Sequence, residues 1–213
     1  MTHPTPGHGF EAQYLPGVRK TAETSIPVAG LIAERWSPRA YDESAVVTPS
    51  QVRALLEAAR WAPSSGNTQP ARYLLGLRGT PSFDRILATL DSGNRAWAHR
   101  AGLLLIGVTV TKNEKGDIPL AEYGLALASE NLVLQAVELG LIAHQMAGFS
   151  PDAVRDFFAL PADAIAKVAI AVGSAADPSV LGDERSVERE KAPRKRIPLE
   201  EFAFTEEWGT PAF

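Results

Sequence analysis

Trp61-Ala62-Pro63-Ser64-Ser65-Gly66-Asn67-Thr68-Gln69-Pro70 is the stretch on which the reading of this chain turns. Turn-forming Pro63 and Gly66 stand among four side chains that can hydrogen-bond: Ser64, Ser65, Asn67 and Gln69. The residues just before it, Thr48 to Arg60, read as a helix. Thr48 supplies an N-cap, Pro49 suits the first turn, and Gln51 sits three residues after the cap. Val52, Leu55, Leu56 and Ala59 then form one apolar stripe. Arg72 to Arg78, just after the loop, read as a strand. A polar loop turning tightly between two packed elements suits a polar ligand held on a rigid scaffold, although an ordinary helix-to-strand connection has the same composition.

Outward from this loop the chain alternates irregularly between helix and strand. Pro27 to Arg35 reads as a short helix broken at Ser37-Pro38, and Thr80-Pro81 opens another that runs to about Leu90. Ala101 to Thr111 is apolar almost throughout, as expected of a central strand covered on both faces. Lys112 to Asp117 reads as an exposed turn. Pro119 to Leu139 forms a long helix stopped by Gly140 and apolar nearly all round, so it must be buried in its own core or against a second subunit. Leu141 to Met146 is strand-like, Ser150-Pro151 caps a helix to about Phe158, and Lys167 to Val172 is a last core strand. Ala175 to Lys195 reads as charged and irregular. This order predicts an α+β fold, a central antiparallel or mixed sheet flanked by helices. Residues 1–25 read as a flexible N-terminal arm, 26–202 as one domain, and 203–213 as a C-terminal extension. The aromatic residues Phe202, Phe204, Trp208 and Phe213 predict that the extension packs on its own or a partner subunit.

Bulk properties remove several classes. The chain has 213 residues, 45% hydrophobic and 22% charged, which fits one sizeable globular domain. With no cysteine there is no disulfide, thiolate nucleophile or sulfur-ligated metal. A net charge of −4 gives no sign of general nucleic-acid affinity. Ala101 to Val110 is too short to cross a bilayer, and residues 1–25 lack the apolar stretch of a signal peptide, so a soluble, cytoplasmic protein is expected. Gly7-x-Gly9 has no strand before it and is no dinucleotide fingerprint, and no P-loop exists. The histidines His3, His8, His99 and His144 lack metal-ligand spacing, and no serine sits in a nucleophile elbow. His99 and His144 read as surface or packing residues. With no evident catalytic side chain, enzymatic chemistry would fall to a bound cofactor.

Two cationic clusters suit a phosphorylated cofactor. Arg35, Ser37 and Arg39 are spaced two apart across a Pro-containing turn, and Arg194, Lys195 and Arg196 precede Ile197-Pro198. Arginine forks pair bidentately with phosphate. The competing reading is solvated surface charge, with Asp183, Glu184, Glu188 and Glu190 near enough in sequence to take up the arginines.

Together these segments resemble the nitroreductase family of FMN-dependent oxidoreductases. Arg35-Trp36-Ser37-Pro38-Arg39-Ala40-Tyr41 is similar to that family's opening motif, and Ala59 to Pro70 to its most specific signature. Gly140-Leu141 with Ala147-Gly148-Phe149 resembles the segment lining the flavin edge, and Arg194 to Glu201 the closing basic motif. The resemblance implies a homodimer with FMN at the subunit interface and a long buried dimer-interface helix. It implies that Arg35, Ser37, Arg39, Arg194 and Arg196 grip the phosphate. Ser64, Ser65 and Asn67, with Gln69 in the same loop, would reach the flavin of the opposite subunit. Asn94 would bond the pyrimidine side, and the backbone of Ala147 and Gly148 would approach flavin N5. The implied activity is NADH- or NADPH-dependent ping-pong reduction of nitroaromatics, quinones or related acceptors. Same-fold dehalogenase or oxidase chemistry and flavin binding without turnover are the alternatives. One departure stands out: Ala71 follows Gln69-Pro70 where the family carries Trp or a similar large residue, which predicts extra room there.

Overall fold

Strand β2 (Leu103–Val110) is buried along nearly its whole length, and the fold is arranged to cover both of its faces. The computed structural model describes residues 18–213, so His3, His8, Gly7 and Gly9 lie outside the described residues. β2 pairs with β1 (Ala71–Leu77) on one side and β6 (Ala164–Gly173) on the other, and β5 (Ile142–Met146) completes the order β1-β2-β6-β5, while β3 (Lys112–Asn113) and β4 (Gly116–Asp117) form a separate exposed hairpin. Every pairing is antiparallel.

Alternation along the strands splits the core in two. Leu104, Ile106 and Val108 of β2, with Ala169 and Ala171 of β6, face a layer built from α3 (Pro81–Thr89), α4 (Ser92–Ala98) and α6 (Pro151–Phe158). Leu103 and Leu105, with Ile170 and Val172, face α2 (Pro49–Arg60) and α5 (Ala121–Glu138). Side chains of this size each contribute about 1.5–3 kcal/mol when fully buried, and both layers depend on the same central strands. The expected α+β sheet flanked by helices is therefore present, with the antiparallel of the two expected sheet types. Among the described residues, no helix is long and apolar enough to cross a membrane.

The helix starts follow the sequence closely. Thr48 and Gln51 form a reciprocal capping box at α2, while Thr80 and Ser150 cap α3 and α6 before Pro81 and Pro151. Three segments depart from the reading. Helix α4 was not anticipated, because Gly93 and Asn94 break its pattern and only Trp97 and Ala98 anchor it. The 175–195 segment is not irregular: a 3-10 turn at Pro178–Leu181 leads into helix α7 (Glu184–Lys191), capped by Asp183. Residues 18–25, read as part of a flexible arm, are tied to the body. Arg19 pairs with Glu34 of the short helix α1 (Gly30–Glu34) at 2.8 Å, and Ala22 N–H donates to the Ala33 carbonyl.

Among the described residues, apolar side chains are exposed on α5 and in the C-terminal extension. On α5, Tyr123 is exposed and Leu127, Leu134 and Val137 are half-buried at helical spacing. Beyond a 3-10 turn at Leu199–Glu201, the extension folds on itself: Phe204 bridges to Pro211 and its ring lies 4.8 Å from that of Trp208. Phe202, Trp208 and Phe213 are 71%, 92% and 83% exposed, so the extension does not bury them on its own subunit.

Strand β1 approaches α3 at Gly76, where an added Cβ would run into the Phe83 backbone nitrogen. Gly76→Ala is expected to destabilise the protein by about 1–3 kcal/mol, since backbone rather than a movable side chain blocks the methyl group. The urea midpoint of the variant measures this.

Candidate functional site

The Ser37 to Tyr41 segment has extended backbone, and its polar groups are satisfied by distant parts of the chain. Tyr41 is fully buried, donates its hydroxyl to the Ala171 carbonyl at 3.1 Å, and forms an isolated bridge with Ala175. The Ala40 carbonyl accepts from Ala176 N–H, and the Ser174 carbonyl accepts from Asp42 N–H. The Pro38 carbonyl lies 2.9 Å from His144 Nδ1, so the neutral Nδ1–H tautomer donates to it. The His144 ring sits 4.7 Å from Trp97, which stacks on Tyr41 at 5.9 Å. An aromatic pillar from α4 and β5 thus backs the segment that carries Arg35, Ser37 and Arg39.

Burial pushes the His144 imidazole down from 6.5 to about 4, against the hydrogen bonds to the Pro38 and Ser37 backbone, with Arg39 lowering it further. His144 is therefore a packing residue, as the sequence reading had it, while His99 sits exposed at the end of α4.

The two cationic clusters meet. Arg194 Nη1 donates to the carbonyls of Ala33 at 2.6 Å and Lys20 at 3.0 Å, clasping the end of α1 and the preceding segment. Burial holds its guanidinium below the usual arginine range, and the nearby charges of Arg35 and Arg196 lower it further, opposed by Glu34. Arg39 is lowered first by burial and then by Arg189, with Glu190 opposing. Arg35 Nη1 lies 3.5 Å from Ser37 Oγ, and its Nε lies 3.7 Å from the half-exposed Glu130 of α5. The Arg196 guanidinium donates to the neighbouring Lys195 carbonyl and makes no ion pair among the described residues. Such a group of guanidiniums repels itself and would be relieved by an anion.

Asn94 and the Ala147-Gly148 turn also come together. Asn94 Nδ2 donates to the Gly148 carbonyl at 3.0 Å, which also accepts from Asp91 N–H. A Cβ on Gly148 would lie 2.7 Å from Asn94 Nδ2, so a larger residue there would push the Asn94 side chain aside. Ala147 is left exposed beside it. A cleft of about 390 Å³ joins Asn94, Asp91 and Trp97 to Arg39, Ser186 and Arg189. Ser186, Arg189 and Glu190 of α7 were not singled out as site residues. A charged run carries no sequence signal of which member turns inward.

The Ser64–Gln69 loop packs against α5. Gly66, Asn67 and Gln69 have φ of 54°, 56° and 49°, a left-handed run that only the glycine adopts without cost. Ser64 Oγ holds the turn by accepting from Gln69 N–H at 2.9 Å, and Gln69 Nε2 donates to the Asn67 carbonyl at 3.3 Å. The loop seats on Gly124, where a Cβ would meet Pro70 at 2.8 Å. Ser65 and Asn67 remain exposed. Ala71 lines a small cavity of about 80 Å³ together with Ala62, Ser64, Gln69 and Ala128. Just upstream, Trp61 is 73% exposed yet fixed by a 2.8 Å bond from Nε1 to Glu57. Glu57 is pulled down to about 2 by its bonds from Arg60 and Trp61.

Comparison with known proteins follows the same lines. A model of the nitroreductase family matches residues 32–80. A solved oxidoreductase containing FMN is 30% identical and superposes with a TM-score of 0.83 over 88% of this chain and 96% of its own. An uncharacterized 15.4 kDa protein of Mycolicibacterium smegmatis is 34% identical over 162 residues, 66% of this chain and 99% of that protein. A Streptomyces coelicolor protein named "Putative NADH dehydrogenase/NAD(P)H nitroreductase" is 30% identical over 53% of this chain and 66% of its own length.

His144 gives the site a pH dependence of defined sign. The unfolded chain binds its proton near 6.5 and the folded chain only near 4. The contribution is thus complete above about pH 6.5 and is lost as pH falls toward 4, amounting to about 3 kcal/mol. Urea unfolding at pH 7, 5.5 and 4 should show this loss, and His144→Phe should flatten it.

Proposed function

We propose, for a chain that belongs to the nitroreductase family, that it is an FMN-dependent oxidoreductase taking hydride from NADH or NADPH. The observation that carries this reading is like charge held close together, Arg194 beside Arg35 and Arg196, and Arg39 beside Arg189, with only the long contacts of 3.7 Å from Arg35 to Glu130 and 3.9 Å from Arg39 to Glu190 to offset it. A phosphate monoester fits that donor set in charge and in fork geometry. Arg35, Ser37, Arg39 and Arg196 would hold it. Arg194, whose Nη1 is committed to Lys20 and Ala33, would chiefly fix the frame.

When bound, FMN would supply hydride-transfer chemistry between NADH or NADPH and a nitroaromatic, quinone or related acceptor, in ping-pong order. The chain's own part is binding and orientation. Asn94 would meet the pyrimidine side of the ring while fixing the Ala147-Gly148 turn beside the flavin edge. Donors aimed at that side favour the negative charge of the reduced ring. No side chain is needed as a proton donor, because solvent serves.

Ser65 and Asn67 are exposed, as side chains offered to a partner subunit would be. The Tyr123, Leu127, Leu134 and Val137 stripe of α5 and the exposed aromatics of residues 203–213 support a homodimer that covers them. The space beside Ala71 is where acceptor choice would depart from relatives with a bulky side chain.

Anaerobic addition of NADH or NADPH to the FMN-loaded protein should bleach the flavin; a flavin that stays oxidised with both donors excludes the reductase. Arg35→Ala and Arg196→Ala should each weaken FMN binding by about 1.5–3 kcal/mol through loss of a charge-assisted bond. Unchanged flavin content in both variants would place the phosphate elsewhere. Sedimentation equilibrium at micromolar concentration should return a dimer, and a monomer there would contradict the shared pocket.

A further inference from the structure

Helix α7 carries a residue for which the proposed function has no use so far. Glu190 is 2% exposed, and its Oε1 accepts from the backbone N–H of Arg39 at 2.7 Å and of Ala40 at 3.0 Å. Its Oε2 has no hydrogen-bond partner among the described residues and lies 3.9 Å from Arg39 Nη1. Its own carbonyl accepts from Lys20 Nζ at 2.8 Å. A buried carboxylate is costly unless its surroundings compensate it, and here two amides and one guanidinium do so. The preceding Arg189 turns the other way and lines the cleft that Arg39 also lines, with Ser186 one turn back. Two guanidiniums in one cleft repel each other, and Arg189 does lower Arg39 while Glu190 opposes it.

We propose that Glu190 is a positioning residue for the phosphate site: its buried carboxylate fixes the Arg39–Ala40 backbone and holds the Arg39 guanidinium in the cleft beside Arg189. The proposal rests on the FMN reading above. Glu190 does not compete with the phosphate, because its Oε1 is already engaged by two amides inside the protein. Its effect on cofactor runs through Arg39. A helix with no expected role becomes the far wall of the site, and the charged run around Glu190 builds the cation cluster instead of quenching it.

A double-mutant cycle tests this, read as FMN affinity from quenching of flavin fluorescence, with riboflavin, which lacks the phosphate, measured in parallel. Glu190→Gln keeps an acceptor for the amides but loses the charge facing Arg39. It should weaken FMN about tenfold and leave riboflavin within about twofold, while adding less than about twofold to the loss already caused by Arg39→Ala. Equal loss in both backgrounds, or equal loss for FMN and riboflavin, would mean a merely structural role and overturn the proposal. So would an unchanged FMN affinity in Glu190→Gln. Should that variant fail to fold, Glu190→Asp, which draws the charge back by one methylene, is read in the same cycle. Wild-type protein that binds no FMN would overturn the FMN reading and this proposal together, whereas tight wild-type binding with an additive cycle overturns this proposal alone.

Discussion

The constraint on which the site depends is the anchoring of an extended segment that has little secondary structure of its own. Ser37 to Tyr41 is neither helix nor regular strand, so its backbone polar groups must find partners elsewhere or be left unpaired. His144 from β5 takes the Pro38 carbonyl, Glu190 from α7 takes the Arg39 and Ala40 amides, and Ala176 beyond β6 takes the Ala40 carbonyl. Tyr41 then drives its ring fully into the core and reaches Ala171. With the backbone committed in this way, the guanidiniums of Arg35 and Arg39 face outward from a fixed base. A site held so closely loses little freedom when a ligand arrives.

Two carboxylates stand near these guanidiniums, and their surroundings give them different parts. Glu130 on α5 lies 3.7 Å from Arg35, is half-exposed, and also accepts from Gln145. An ion pair open to water contributes little and gives way to a stronger anion. Glu190 is enclosed and has protein donors on its Oε1, so it stays where it is. One carboxylate is exchangeable and the other permanent, and burial alone separates them.

Most of the fold was legible because its signals are local. Proline after Thr or Ser marked three helix starts, and the unbroken apolar run of β2 announced a strand covered on both faces. The Trp61–Pro70 loop was found by composition, and its left-handed turns explain why Gly66 and Asn67 sit there. Helices α4 and α7 were illegible for a common reason: each is held by one or two buried residues in an otherwise polar stretch. At the site the arginines were visible as residue types, but their company was not. The sequence placed Glu190 beside three other acidic residues, Asp183, Glu184 and Glu188, and only the fold distinguishes it from the solvated ones. Arg194 was likewise read as a phosphate ligand, whereas its Nη1 is engaged by two backbone carbonyls.

The span between Arg39 and Glu190 has a consequence for the order of assembly. Their bond joins residues 151 positions apart, and that of Arg194 to Lys20 joins residues 174 apart. The four-stranded sheet is built wholly from residues 71–173, whereas the amides of Arg39 and Ala40 find their carboxylate beyond it, on α7. Closing so long a loop is slow relative to local pairing. Contacts of such span close after local ones, so the cation site takes shape on a sheet that is already paired.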